Sequence, residues 1–210
     1  LHRSNNRYTQ SHTFFCPMDP TMLPYLVGLA ALLLTIYVMF LKDNQKSSAG
    51  SKEPPLTPDD VEVIQSTWKI VETLPTDVVA VILFKNIFAL AGDGASELAK
   101  LFPFGRAPGF SPSDLDNNEA FKPHGVKVVN TVTTAVSMLK KLDELVPVLV
   151  DLGKKHAKYG VVAAHYPVVG GALLKTLEQG LPADKWNDDV KGAFSKMWGV
   201  VSSTMQSEAY

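Results

Sequence analysis

Residues 152–160 read LGKKHAKYG, a histidine set between lysines one helical turn before a tyrosine–glycine stop. A lone helical histidine is ordinarily a surface residue or a satisfied core residue. His156, however, shares a helical face with Leu149 and Leu152, at spacings of 4 and 3. It interrupts an apolar stripe, and a buried imidazole needs partners for both ring nitrogens. A second stretch, FKPHGVKVVNTVTTAV at 121–136, repeats the arrangement. Phe121, His124, Val128, Thr131 and Ala135 fall on one face, again with a histidine breaking the apolar run. Two such helices facing each other could hold a flat apolar cofactor with iron at its centre.

The sequence around these stretches is helical throughout. LTPDDVEVIQSTWKIV, residues 56–71, opens with Thr57 as a cap, Pro58 at the first helical position and acidic Asp59 and Asp60 behind it. Val61, Ile64, Trp68 and Val71 then recur at helical spacing. The same period predicts helices over 76–90, 127–142, 146–159, 168–179 and 184–206, separated by Pro or Gly. No segment alternates with period two, and no glycine-rich phosphate loop or repeat occurs. The expected fold class is all-α with six or more helices. The Pro-, Gly- and Ser-rich stretch GRAPGFSPSDLDNN, residues 105–118, reads as a mobile loop.

The N-terminal quarter is different. LPYLVGLAALLLTIYVMFL, residues 23–41, runs 19 residues without a charge, with aromatic residues towards both ends. At about 1.5 Å per residue it matches a hydrocarbon core of roughly 30 Å, which reads as a single transmembrane anchor. The alternative is a cleaved signal peptide, which would make the protein secreted, but such apolar cores run only about 7–15 residues. Residues 1–22 form a leader without hydrophobic pattern, and Met18 is a candidate start within it. Residues 42–56 form a polar linker. Lys42, Lys46 and Lys52 follow the anchor, whereas Asp19 precedes it once Met18 is the start; Arg3 and Arg7 would blur that bias. The positive-inside tendency then turns the folded domain towards the cytosol.

Composition excludes other classes. A net charge of −1 gives no basic surface for nucleic acid. One cysteine, Cys16, allows neither an intramolecular disulfide nor a cysteine-rich zinc site. No Ser/His/Asp arrangement or carboxylate pair marks a hydrolase, so no catalytic side chain is assigned.

Several motifs in order over residues 57–207 make this stretch resemble an animal globin. They are Trp68, LFKNIFAL at 83–90, KLFPF at 100–104, FKPHG at 121–125, LGKKHAKYGV at 152–161 and AFSKMWGVV at 193–201. The resemblance implies a three-on-three helical sandwich binding haem b, held non-covalently because no CxxCH motif occurs. It assigns His156 as the proximal iron ligand, its other ring nitrogen donating to a carbonyl near Leu152. It places His124 on the distal side, as second ligand or as hydrogen-bond donor. Phe102 would press on the haem plane, Val128 would wall the ligand side, and Leu152, Val161 and Trp198 would line other faces.

Phe84, His124, Lys127 and Val128 together resemble the distal set of neuroglobin-type globins, as does the 32-residue interval from His124 to His156. Lys127 would reach a haem propionate. Phe104 departs from that pattern, standing where those chains have a tyrosine, and Pro123 directly precedes His124. His165, beyond Gly160, is expected at the surface or near a propionate. The implied ligands are oxygen and nitric oxide, with membrane lipid around 23–41 and a reductase as further partners. The leading expectation is a tethered, bis-histidyl, redox-active haem protein for signalling or protection, with nitric oxide dioxygenase or nitrite reductase chemistry open to it. The competing expectations are a five-coordinate oxygen store and a haem-free helical interaction module.

Overall fold

The computed structural model describes residues 56–210, so the leader, the anchor and nearly all of the linker lie outside the described residues. Seven α-helices follow one another: α1 Pro58–Val71, α2 Thr76–Ala91, α3 Ala95–Ala99, α4 Lys122–Ser137, α5 Leu142–Lys158, α6 His165–Gly180 and α7 Asp188–Gln206. No strand occurs among the described residues.

The start of α1 follows from its side chains. Thr57 Oγ1 accepts from the Asp60 amide at 3.1 Å and Asp60 returns a bond to the Thr57 amide at 2.9 Å. Lys196 of α7 donates to the same carboxylate at 2.8 Å, joining first helix to last. That bond and those from Thr57 hold the Asp60 carboxyl down at about 2. Ile64 and Phe194 are fully buried between these helices. Each such side chain contributes about 1.5–3 kcal/mol of transfer free energy.

α2 is the centre of the molecule and packs mainly against α6 and α4. Thr76–Ala99 is long and apolar enough to cross a membrane, but Val79, Leu83, Phe84, Ile87 and Phe88 are buried in the core. One polar knot fixes its register. Asn86 Nδ2 donates to Thr176 Oγ1 at 3.0 Å and to Gln179 Oε1 at 2.9 Å, both on α6. Trp68 Nε1 ties α1 to α4 by donating to Thr133 Oγ1 at 2.9 Å. α5 packs on α7 and completes the bundle.

Several boundaries differ from the periodic reading, among them the end of α4 at Ser137 rather than 142 and the start of α6 at His165 rather than 168. α4 begins at Lys122 rather than 127, because Pro123 fits the first turn and Asn118 Oδ1 accepts from the Phe121 amide at 2.9 Å just before it. α5 already begins at Leu142 and carries Pro147 inside it. Pro147 is exposed, so water can satisfy the carbonyl that its missing N–H leaves free. α7 starts at Asp188, four residues late, because Asn187 caps it by accepting from the Val190 amide at 3.0 Å.

The stretch 105–118 is also not the open loop its composition indicates. It contains a 3₁₀ turn at Pro112–Asn117, opened by Ser111. Leu115 inside that turn is fully buried, and Asp116 pairs with Lys85 on α2. One leucine and one ion pair therefore dock the segment onto the core.

Candidate haem pocket

His156 lies in the last turns of α5, on the face whose upper residues, Leu145 and Leu149, are buried. Its Nδ1 is 2.8 Å from the Leu152 carbonyl oxygen. A carbonyl only accepts, so Nδ1 carries the proton and the lone pair sits on Nε2. The ring is thereby fixed in the tautomer that a metal requires, with its bond to the Leu152 carbonyl as expected.

The end of α5 explains why the histidine stands there. The Val161 amide donates to the His156 carbonyl at 3.1 Å and the Gly160 amide to Ala157 at 3.0 Å. Gly160 has a φ of 88°, in the left-handed region. This is a Schellman stop, and it turns the chain so that Val161 follows closely behind the ring. Tyr210 Oη then donates to the Val161 carbonyl at 2.7 Å. Lys154 pairs with Glu208 at 2.7 Å. At Gly153 a Cβ would lie 1.7 Å from the Met205 carbonyl oxygen, so only glycine lets α5 and α7 approach this closely.

His124 stands on the first turn of α4, half-buried. Its ring finds no hydrogen-bond partner among the described residues. It is packed instead by Phe102, Phe84 and Phe104, with ring centroids 5.3, 5.7 and 5.7 Å away. Burial holds its pKa below the ordinary 6.5, and the charges of Lys127 and His156 lower it further. The two imidazoles stand on different helices, His124 at the start of α4 and His156 near the end of α5.

The other residues expected at the site are spread over several elements. Phe84 is buried, and Phe102 is half-buried against it at 5.5 Å. Val128, Leu152, Val161 and Trp198 are half-buried against the core. Trp198 is tied to α6 through its Nε1, which donates to the Tyr166 carbonyl at 3.0 Å. Lys127 is exposed and makes no ion pair among the described residues. His165 is half-buried, and its Nδ1 accepts from the Val162 amide at 3.1 Å in the turn that leads into α6. No group of three or more His, Cys, Asp or Glu side chains suited to a metal occurs among the described residues. A cavity of about 20 Å³ between Trp68, Leu83, Val129 and Leu173, and a surface recess of about 500 Å³ beside Arg106, are both lined by other residues than the histidines.

Sequence reasoning missed Tyr210, Glu208 and Gly153 on the proximal side. Each acts through a partner some fifty residues distant, which no local pattern reveals. It also saw at Phe104 only the absence of a tyrosine, whereas the ring is buried beside His124. The FPF repeat at 102–104 was the available signal.

Known proteins place this geometry in context. Cytoglobin-1 of Danio rerio is 28% identical over 149 residues, covering 70% of this chain and 81% of that protein. An anaerobic nitrite reductase of Gossypium hirsutum is 33% identical over 95 residues, 44% of this chain and 60% of that protein. Among solved structures, a hexacoordinated heme protein from an anhydrobiotic tardigrade, crystallised at pH 4, superposes with a TM-score of 0.64. It is 19% identical, with 74% of this chain and 96% of that chain covered, a likeness that shows the globin fold. The globin family model matches residues 94–205, more than half of the sequence and inclusive of both histidines. The chain belongs to the globin family, and with that family comes a haem cofactor.

Proposed function

We propose that this protein is a membrane-anchored haem b globin in which His156 and His124 are both iron ligands, and that it works in redox signalling or protection rather than in bulk oxygen storage. The observation that carries this reading is the pair of imidazoles. His156 is held with Nε2 free by the Leu152 carbonyl, and His124, on another helix, is packed by phenyl rings with no hydrogen-bond partner among the described residues. The surrounding Phe84, Phe102, Val128 and Leu152 supply an apolar lining that suits a porphyrin face. Haem iron, when bound, supplies reversible diatomic-ligand binding and one-electron exchange.

The chain's own residues set the terms of that chemistry. His156 retains the cofactor. His124 competes with outside ligands and lowers apparent affinity by the fraction of sites it closes. Two imidazoles also keep the coordination alike in both oxidation states, which favours electron transfer. Lys127, exposed and unpaired among the described residues, is free to meet a propionate. Phe84 crowds the ligand side. The likeness to a protein named an anaerobic nitrite reductase supports nitric oxide or nitrite as substrates beside oxygen. The anchor at 23–41 and a cytosol-facing domain rest on sequence alone. They would concentrate the haem near lipid and membrane-bound reductases without adding storage capacity.

The test is the ligand-free ferrous spectrum of wild type and His124→Leu. Low-spin iron in the first and high-spin in the second supports the reading; high-spin iron in both returns the protein to the oxygen-storage class. Protease added outside sealed cytosol-side-out vesicles should digest the globin domain, and protection there would overturn the topology.

A further inference from the structure

We infer that Phe104 is a positioning residue for His124, fixing the angle of the distal imidazole and how long it stays in place. This rests on the two-histidine reading above and adds to it a residue to which that reading gives no part.

The His124 ring has no hydrogen bond among the described residues, so packing alone orients it. Of the three phenyl rings against it, Phe84 belongs to the central helix and Phe102 is half-buried. Phe104 is only 3% exposed and comes from a short 3₁₀ turn, Phe104–Arg106. That turn is tied down. The Gly105 amide donates to the Phe102 carbonyl at 3.1 Å, the Arg106 amide to Pro103 at 3.3 Å, and Arg106 Nε to Lys100 at 2.6 Å. The ring it presents stacks on Phe102 at 5.1 Å and 17°, and meets Phe121 edge-on at 5.3 Å and 76°. It leans on His124 at 5.7 Å and 51°. Phe104 thus connects a rigid turn to the first turn of α4 and closes one side of the imidazole. Phe110 is the natural control. It packs on Phe104 at 5.7 Å and Phe88 at 5.8 Å but is not among the rings against His124.

Losing one aromatic contact to the imidazole weakens its hold by the worth of an aromatic pair, which corresponds to about a two- to tenfold rate change. The haem-loaded full chain is mixed with carbon monoxide at saturating concentrations, where the rate reaches the plateau set by His124 departure. Phe104→Leu should raise that plateau about two- to tenfold, whereas Phe110→Leu should leave it within about twofold. Phe104→Met, which keeps side-chain volume without a ring, serves where the leucine variant loads poorly. An unchanged plateau in Phe104→Leu and Phe104→Met, or an equal rise in Phe110→Leu, overturns the inference.

A second readout needs no haem. In the apo-protein the His124 ring protons should carry a ring-current displacement in their NMR shifts. Phe104→Leu should change those shifts measurably without abolishing the displacement, as Phe84 and Phe102 still contribute, and Phe110→Leu should leave them in place. Unaltered shifts in Phe104→Leu would overturn the inference even with a changed plateau. High-spin wild-type iron would instead defeat the two-histidine reading, and the apo shifts would still decide the role of Phe104.

Discussion

On the α5 side of the pocket, polar and backbone contacts converge on the histidine. His156 Nδ1 donates to the Leu152 carbonyl, the Schellman turn holds the His156 carbonyl, and Tyr210 Oη donates to the carbonyl of Val161. On the α4 side the imidazole is surrounded by phenyl rings and shares no hydrogen bond among the described residues. Hydrogen bonds are directional and fix a tautomer; hydrophobic packing fills space and tolerates motion. The difference suits the two roles proposed above, in which a ligand that must never leave would be tied and one that must sometimes leave would be only packed.

The largest test of this contrast is removal of the tied ligand. His156→Ala should lose haem on gel filtration, read as the ratio of Soret to protein absorbance, while His124→Leu should keep it. Full occupancy in the alanine variant would show that the proximal assignment is wrong. Next in size is the frame behind that ligand. Gly153→Ala drives a methyl into the Met205 carbonyl, a backbone atom with little room to give. It should cost about 3 kcal/mol in urea unfolding, and a loss of less than about 0.5 kcal/mol would mean that α5 and α7 separate readily.

A finer test is Tyr210→Phe, which removes the bond to Val161 at an exposed position and should cost about 1 kcal/mol. It should also broaden the proximal ring signals, leaving those of His124 unchanged. The smallest effect is on the pH dependence of the apo-protein. Folding lowers the His124 pKa, so the unfolded chain takes up the proton first. Stability is then complete above the ordinary 6.5 and declines as pH falls below it. His124→Leu should flatten that decline below the ordinary 6.5. An unchanged slope would mean that burial does not hold this ring neutral.

The sequence makes the tied side less legible than its importance warrants. Histidine spacing reveals both helices, and the Leu152 carbonyl follows from helical geometry because it lies one turn before His156. Tyr210 and Gly153 stay hidden, since their partners, Val161 and Met205, are distant in sequence. Composition misleads at 105–118, where turn-forming residues outnumber the single leucine whose burial docks the segment. Helix starts shift as well, to 122, 142, 165 and 188. Periodicity locates the apolar face of a helix, whereas Asn118, Pro123 and Asn187 decide where the backbone begins to coil.

The Tyr210 clasp also bears on how the protein is made. Every ring around His124 lies between residues 84 and 124, so the distal packing can assemble as soon as that short stretch of chain is available. The proximal wall cannot. Its closing contacts to α5 come from Met205, Glu208 and Tyr210. During synthesis the N-terminal part folds first, and a nascent chain would hold a formed distal half beside an unfinished proximal one. Capture of the cofactor is then expected late in biogenesis, once α7 has left the ribosome and can pack on α5.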